Sequence, residues 1–71
     1  MAKLDWSLVE RDVDWIVNAM RSSHYEAKGD NSNMFQLESD DGAYVNAVEE
    51  ELKRYDLKVV SRRGAYIGVR G

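Results

Sequence analysis

Residues 57–70, with the sequence LKVVSRRGAYIGVR, decide the fold that this chain is expected to adopt. β-branched and aromatic residues stand on both sides of an Arg-Arg-Gly sequence, which is the pattern of two strands joined by a tight turn. The chain is therefore expected to end in a β-hairpin, and the elements before it must supply the rest of a small sheet and its cover.

The register of this hairpin follows from the face on which its apolar residues fall. A three-residue loop over 62–64 pairs Val59 with Ile67 and gives the hairpin one apolar face. It also puts Gly64 at the left-handed position that such loops favour. A two-residue loop at 63–64 mixes polar and apolar groups on each face, so we predict the three-residue loop.

The first element of the chain is predicted to be a helix over about residues 7–22. Ser7 and Glu10 stand three residues apart, the spacing of a capping box. Apolar residues then recur at the three- and four-residue spacing that marks one face of a helix. These residues are Val9, Val13, Ile16, Val17 and Met20.

Between the first helix and the hairpin we predict a loop, a strand and a second helix. Residues 22–33 are polar and favour a loop, and alternation over 33–38 predicts a short strand. Asp40 or Asp41 is expected to cap a helix over 41–55. Its predicted buried stripe is Tyr44, Val45, Val48, Leu52 and Tyr55.

The predicted fold is α+β, with the order α-β-α-β-β and both helices on one face of a three-stranded sheet that ends in the hairpin. A winged helix-turn-helix is the alternative, but it needs a third helix for which residues 23–41 are poor material. The predicted core consists of Val9, Val13, Ile16, Val17, Met20, Phe35, Leu37, Val45, Val48, Leu52, Leu57, Val59, Ile67 and Val69.

Length and composition predict one domain over residues 1–71 and exclude several kinds of chemistry. The chain has no cysteine and a single histidine, His24, so neither a disulfide nor a thiolate or histidine-rich metal site is expected. No cofactor motif is found, and His24 has no partner that indicates catalysis, so we predict no enzyme. A small ribonuclease-like toxin using His24 is a distant alternative.

The hydropathy of the chain argues against a membrane association. No apolar run approaches the ~18–20 residues of a membrane span, and the N-terminal sequence MAKLDWSLVERD lacks a signal-peptide pattern. A cytoplasmic protein is therefore expected.

The arrangement of elements resembles one that recurs among small uncharacterised bacteriophage-encoded proteins. The likeness covers about residues 5–71 and includes a helix ending in EEELKRYDLKVV and a hairpin ending in YIGVRG. This resemblance implies a phage or mobile-element origin and implies no chemistry.

Two apolar surfaces predict a protein-binding function. On the first helix, Leu8, Trp15 and Ala19 form a strip beside the core-facing stripe. On the outer face of the sheet, Met34, Val60 and Tyr66 have no predicted layer above them. We therefore predict a non-enzymatic module, a phage-type regulator or inhibitor that docks on a host protein or on itself as a homodimer.

A nucleic-acid-binding regulator is the alternative function. Residues 1–41 carry nine acids against four bases, whereas residues 42–71 carry four acids against six bases. The net charge of −3 argues against strong non-specific binding, but the basic hairpin could contact phosphates. The candidate contacts are Lys58, Arg62, Arg63, Tyr66 and Arg70.

Overall fold

The predicted α+β architecture is confirmed by the computed structural model, which describes residues 4–23 and 32–71. In chain order the elements are α1 (Trp6–Ser23), β1 (Asn33–Gln36), α2 (Gly42–Lys53), β2 (Lys58–Arg63) and β3 (Tyr66–Arg70). Most of the predicted loop, 24–31, lies outside the described residues. Within the described ranges, neither helix has the length and apolarity needed to cross a membrane.

The three strands form one antiparallel sheet in the order β1-β3-β2. The last strand of the chain is therefore central, and it pairs with β1 through Phe35 opposite Ile67 and with β2 through Val59 opposite Val69. These pairs place apolar side chains on one face of the sheet, which is the face that both helices cover. The helices thus leave the other face of the sheet outside the core.

The predicted three-residue hairpin loop is wrong, and so is the predicted pairing of Val59 with Ile67, because Val59 lies opposite Val69. Arg63 pairs with Tyr66, so the loop is Gly64 and Ala65, and the register shifts at a β-bulge between Val59 and Ser61. The bulge adds one residue to β2, as the predicted third loop residue would have done. Val59 therefore shares one face with Ile67 and Val69 although the loop has only two residues. The left-handed conformation expected of Gly64 is confirmed, with φ at 59°.

Helix α1 begins one residue earlier than predicted because Asp5, rather than Ser7, caps it. The Asp5 carboxylate accepts hydrogen bonds from the Ser7 amide at 3.1 Å, the Ser7 hydroxyl at 2.6 Å and the Leu8 amide at 3.4 Å. The Ser7 hydroxyl bond, followed by the two amide bonds, holds the pKa of Asp5 below its ordinary value. The predicted capping box is incorrect because Ser7 already lies inside the first turn.

Helix α2 is shorter at both ends than the sequence predicted. Asp41 occupies the N-cap position without a side-chain hydrogen bond to the helix, so the predicted carboxylate cap is absent there. At the other end the Leu57 amide donates to the Leu52 carbonyl and the Asp56 amide to the Lys53 carbonyl. This pair of bonds is a Schellman motif, with Asp56 at φ 61° in the position that usually holds glycine.

The core lies between the helices and the sheet and agrees with the prediction at most positions. Twelve of the predicted residues are buried, whereas Leu57 and Val59 are partly buried and pack against the others. Tyr44 is buried as expected, but Tyr55 is 49% exposed. Tyr55 follows the end of α2, so it leaves the helical face that the sequence pattern assigned to it.

Candidate functional site

The outer face of the sheet presents three cross-strand rows of side chains. Because side chains alternate along a strand, residues flanking the buried Ile67 and Val69 point away from the helices. The rows are Gln36–Tyr66–Arg63, Met34–Gly68–Ser61, and the pair Arg70–Lys58. We call this set of eight residues the open sheet face.

The centre of the open sheet face is a shallow apolar patch. Met34 is 57% exposed and Tyr66 is 48% exposed; Met34 lies opposite Gly68 on the neighbouring strand, and Tyr66 precedes Gly68 by two positions on β3. A Cβ atom at Gly68 would lie 2.5 Å from the Ser61 hydroxyl and 3.1 Å from the Met34 sulfur. Met34 and Ser61 therefore lean over the glycine, and the patch has no room for a larger central side chain without rearrangement.

The charge of the sheet is of one sign. The three strands contain four basic residues and no acid, whereas α1 contains three acids against two bases and α2 contains three acids against one base. On the open sheet face the basic residues are Lys58, Arg63 and Arg70. This layer separation gives the molecule a basic side and an acidic side.

Arg62 is the predicted site residue that the bulge removes from the open sheet face. The register shift turns its side chain toward α2, where Nη1 donates to Asn46 Oδ1 at 2.8 Å and lies 3.3 Å from Glu49 Oε1. The structure therefore brings together Lys58, Arg63, Tyr66 and Arg70 on one face, and it places Arg62 on the other.

The residues of the predicted apolar strip on α1 differ in their exposure. Leu8 and Ala19 are partly buried and pack against the core, whereas Trp15 is 47% exposed. Val60 is exposed and lies at the bulge of β2, between the paired residues Val59 and Ser61. Of the predicted protein-contact residues, Met34 and Tyr66 thus share the open sheet face, and Trp15 belongs to a separate groove.

This second surface is the Trp15 groove, which runs between α1 and the edge strand β1. It is lined by Arg11, Asp12, Asp14, Trp15, Gln36 and Glu38. The indole of Trp15 meets the ring of the buried Phe35 edge-on, with centroids 5.2 Å apart and ring planes at 87°. Aromatic contacts of this geometry favour one relative orientation of the two rings.

A buried carboxylate forms the floor of the Trp15 groove. Asp12 is only 6% exposed, and its Oδ2 accepts hydrogen bonds from the Tyr44 hydroxyl at 2.5 Å and from the Glu38 amide at 3.0 Å. Burial, followed by the bond to Asp12, raises the pKa of Tyr44 above its ordinary value. The network ties α1 to both α2 and the segment after β1.

Sequence reasoning missed this network, although a signal for it was present. Asp12 stands three residues after Val9 and four before Ile16, so it lies on the core-facing side of α1. A charged residue in that position requires a buried partner. Tyr44 was assigned to the buried stripe of α2, and its hydroxyl supplies that partner.

The histidine predicted to lack a catalytic role, His24, lies outside the described residues. Within residues 4–23 and 32–71, no three carboxylate or histidine side chains are close enough to hold a metal ion. No protein-family model, curated protein or solved structure matches this chain. The resemblance to phage-encoded proteins therefore stays a prediction.

Proposed function

We propose that this protein is a non-enzymatic binding module that docks on the acidic surface of a partner protein through its open sheet face. The observation that carries the proposal is the exposure of Met34 and Tyr66 in adjacent rows of one sheet face, together with the basic residues of that face. Interface centres are enriched in tyrosine and methionine and are surrounded by polar rims. The open sheet face has this composition.

The charge on the open sheet face selects the kind of partner. Lys58, Arg63 and Arg70 have the same sign and no acidic neighbour within the three strands, so an acidic surface would be attracted and a basic one repelled. Lys58 and Arg63 make no ion pair with any described residue. Their charges therefore remain available for contact with an acidic partner.

Single-stranded nucleic acid is the second candidate ligand for the same face. The arrangement that favours it is one exposed aromatic ring, Tyr66, among cations that could follow a phosphate backbone. Against it, nucleic-acid-binding sheets usually stack two or three bases on aromatic side chains, and here the face offers one. The helical layer is also acidic, which weakens long-range attraction of a polyanion. A protein partner is the better match.

A direct test compares two equally exposed tyrosines. Tyr66 lies on the open sheet face and is 48% exposed, whereas Tyr55 lies beyond α2 and is 49% exposed. The probes are a fluorescein-labelled peptide of glutamate, leucine and phenylalanine and a labelled twelve-nucleotide oligothymidine, each titrated with the protein and followed by fluorescence anisotropy. We expect Tyr66→Ala to weaken peptide binding about tenfold, the effect of a moderate hot spot, and Tyr55→Ala to leave it unchanged.

The outcomes separate the candidates. Binding of the oligothymidine but not of the acidic peptide, with a steep loss on adding salt, would replace the protein proposal with the nucleic-acid one. Equal effects of Tyr66→Ala and Tyr55→Ala would contradict use of the open sheet face by either ligand. Sedimentation of the free protein over a range of concentrations tests whether the partner is a second copy. It is a second copy if the mass rises with concentration and if Tyr66→Ala abolishes this rise.

The proposal includes a biological setting, in which the protein acts as a regulator or inhibitor. A regulator or inhibitor acting on a host protein in the cytoplasm would need one compact binding surface and no catalytic groups. The open sheet face supplies such a surface on a domain with one small core.

A further inference from the structure

The Trp15 groove combines a half-exposed aromatic ring with a surplus of negative charge. Trp15 remains about half exposed although it lies next in sequence to Ile16, which is fully buried. Its edge-to-face contact with the Phe35 ring favours this orientation of the indole. A partner that contacts this indole therefore has less need to order it first, which reduces the entropy lost on binding.

The carboxylates around the indole outnumber the cations three to one. Among the residues that the structure describes, Asp12, Asp14 and Glu38 line the Trp15 groove together with one basic residue, Arg11. Acidic side chains alone would be an ordinary solvated helix surface. Their position beside a half-exposed tryptophan is what distinguishes this site, because the face of an indole attracts cations.

Asp12 brings a largely buried carboxylate to the wall of the groove. More than nine-tenths of this residue is buried, and both of its hydrogen bonds are made by Oδ2. Among the described residues no buried side-chain oxygen is left without a hydrogen-bond partner. A carboxylate oxygen in such a site can accept a hydrogen bond from a donor that enters the groove.

We propose that the Trp15 groove binds an arginine or lysine side chain presented by a partner protein. The aromatic face contacts the cation, Asp14 and Glu38 pair with it, and Asp12 Oδ1 accepts one of its hydrogen bonds. Arginine is the better fit because its planar guanidinium stacks on aromatic rings and donates in several directions. This surface lies between α1 and the edge of the sheet and shares Gln36 with the open sheet face. Its charge is opposite, so the proposal goes beyond the acidic partner of the open sheet face.

A bare metal ion is a poorer occupant than an organic cation. No three carboxylates of the described residues are placed to ligate a metal together, and an indole provides no ligand atom of the kind that metals prefer. An apolar partner is also disfavoured, since it would cover three carboxylates without compensating their charge.

Tryptophan fluorescence provides a direct test. The chain has two tryptophans, so Trp6→Phe leaves Trp15 as the only indole reporter. The probe is a peptide of alternating glycine and arginine, and a glycine–glutamate peptide of equal length is its control. We expect the arginine peptide to change the Trp15 emission saturably at low salt, less so at high salt, and the glutamate peptide to have no effect.

Variants then locate the site by anisotropy of the labelled arginine peptide. Trp15→Leu is expected to weaken binding about tenfold, whereas Trp15→Phe, which keeps an aromatic face, should retain most of it. The double variant Asp14→Asn with Glu38→Gln should weaken binding several-fold through loss of charge. Arg11→Gln should strengthen it by removing the like charge.

The matched control is Glu50→Gln, which removes an exposed carboxylate of α2 away from the groove. It should leave the affinity unchanged, and circular dichroism should show that all variants are folded. The proposal is overturned if the arginine peptide does not bind at low salt, if Glu50→Gln weakens binding as much as the groove variants, or if Trp15→Leu has no effect. It is also overturned if sedimentation shows that a second copy fills the groove.

Discussion

The two faces of the small sheet share one backbone but differ in the burial and the type of their side chains. On the helix side, Ile67 and Val69 are fully buried in the core, whereas on the open side Tyr66 is half exposed and Gly68 is covered by the side chains of Met34 and Ser61. The four residues Tyr66, Ile67, Gly68 and Val69 alternate along one strand. The difference shows that a single strand can carry the stability of the domain on one face and be available for contact with a partner on the other.

The largest effect is expected from Ile67→Ala. Removing this fully buried side chain from the central strand should lower the free energy of unfolding by about 2–5 kcal/mol, which is comparable with the ~3–5 kcal/mol that a core of this size supplies. We expect urea titrations followed by circular dichroism to show that the variant is already largely unfolded without urea. Tyr66→Ala, one residue away on the other face, should change stability by less than about 1 kcal/mol. Equal losses would mean that the open sheet face is part of the core.

Asp12→Ala tests whether the stability of the helix side depends on the buried carboxylate of Asp12. The substitution leaves the buried hydroxyl of Tyr44 and the amide of Glu38 without their acceptor, which should lower the free energy of unfolding by ~1–3 kcal/mol. Asp14→Ala on the exposed side of the same helix is the control, with an expected change within about 0.5 kcal/mol. If the two variants are equally stable, the network adds nothing to the fold.

The free energy of unfolding should depend on pH through the ionisation of Tyr44. Its pKa is raised in the folded protein, so this contribution to stability is complete below the unfolded value of about 10 and is lost as the pH rises through the folded value. The free energy of unfolding of the wild type should therefore fall more steeply above pH 10 than that of Tyr44→Phe. Parallel profiles from pH 8 to pH 11.5 would show that Tyr44 does not titrate differently in the folded state.

The smallest effects on the free energy of unfolding are expected at Arg62 and Arg63, which are adjacent but point to opposite faces. Arg62→Ala removes the bonds to Asn46 and Glu49, and because these groups are partly exposed we expect a loss of only ~0.2–1 kcal/mol. Arg63→Ala should not change the free energy of unfolding measurably. Added salt should reduce the Arg62 effect. A larger loss for Arg63 would contradict the observed position of the bulge.

Much of the fold could be predicted because periodicity is a local property. The core stripes of both helices follow from spacing alone, and most of these residues are buried as expected. The predicted pairing within the hairpin was wrong, since Val59 lies opposite Val69 rather than Ile67. The helix start could not be assigned correctly, since Asp5 and Ser7 are both good caps and only the path of the backbone distinguishes them.

The candidate surfaces were predictable only in part. Met34 and Tyr66 were expected on the outer face of the sheet and are exposed, because no residue pattern offered them a buried partner. For Trp15 the sequence left both core packing and exposure open, and only the way in which α1 sits against β1 decides that it is 47% exposed. The position of Arg62 was missed for a similar reason, because a bulge reverses the side-chain alternation after it.

The sequence by itself determined the class of fold, the residues of the core, the absence of thiol chemistry and the basic character of the last two strands. These properties depend on composition and on short repeats along the chain. Only the tertiary structure decided that Asp12 meets Tyr44, that Arg62 leaves the basic face and that Trp15 stands on Phe35. Each of these contacts joins residues at least 16 positions apart or depends on strand register, and such contacts are set by the packing of whole elements.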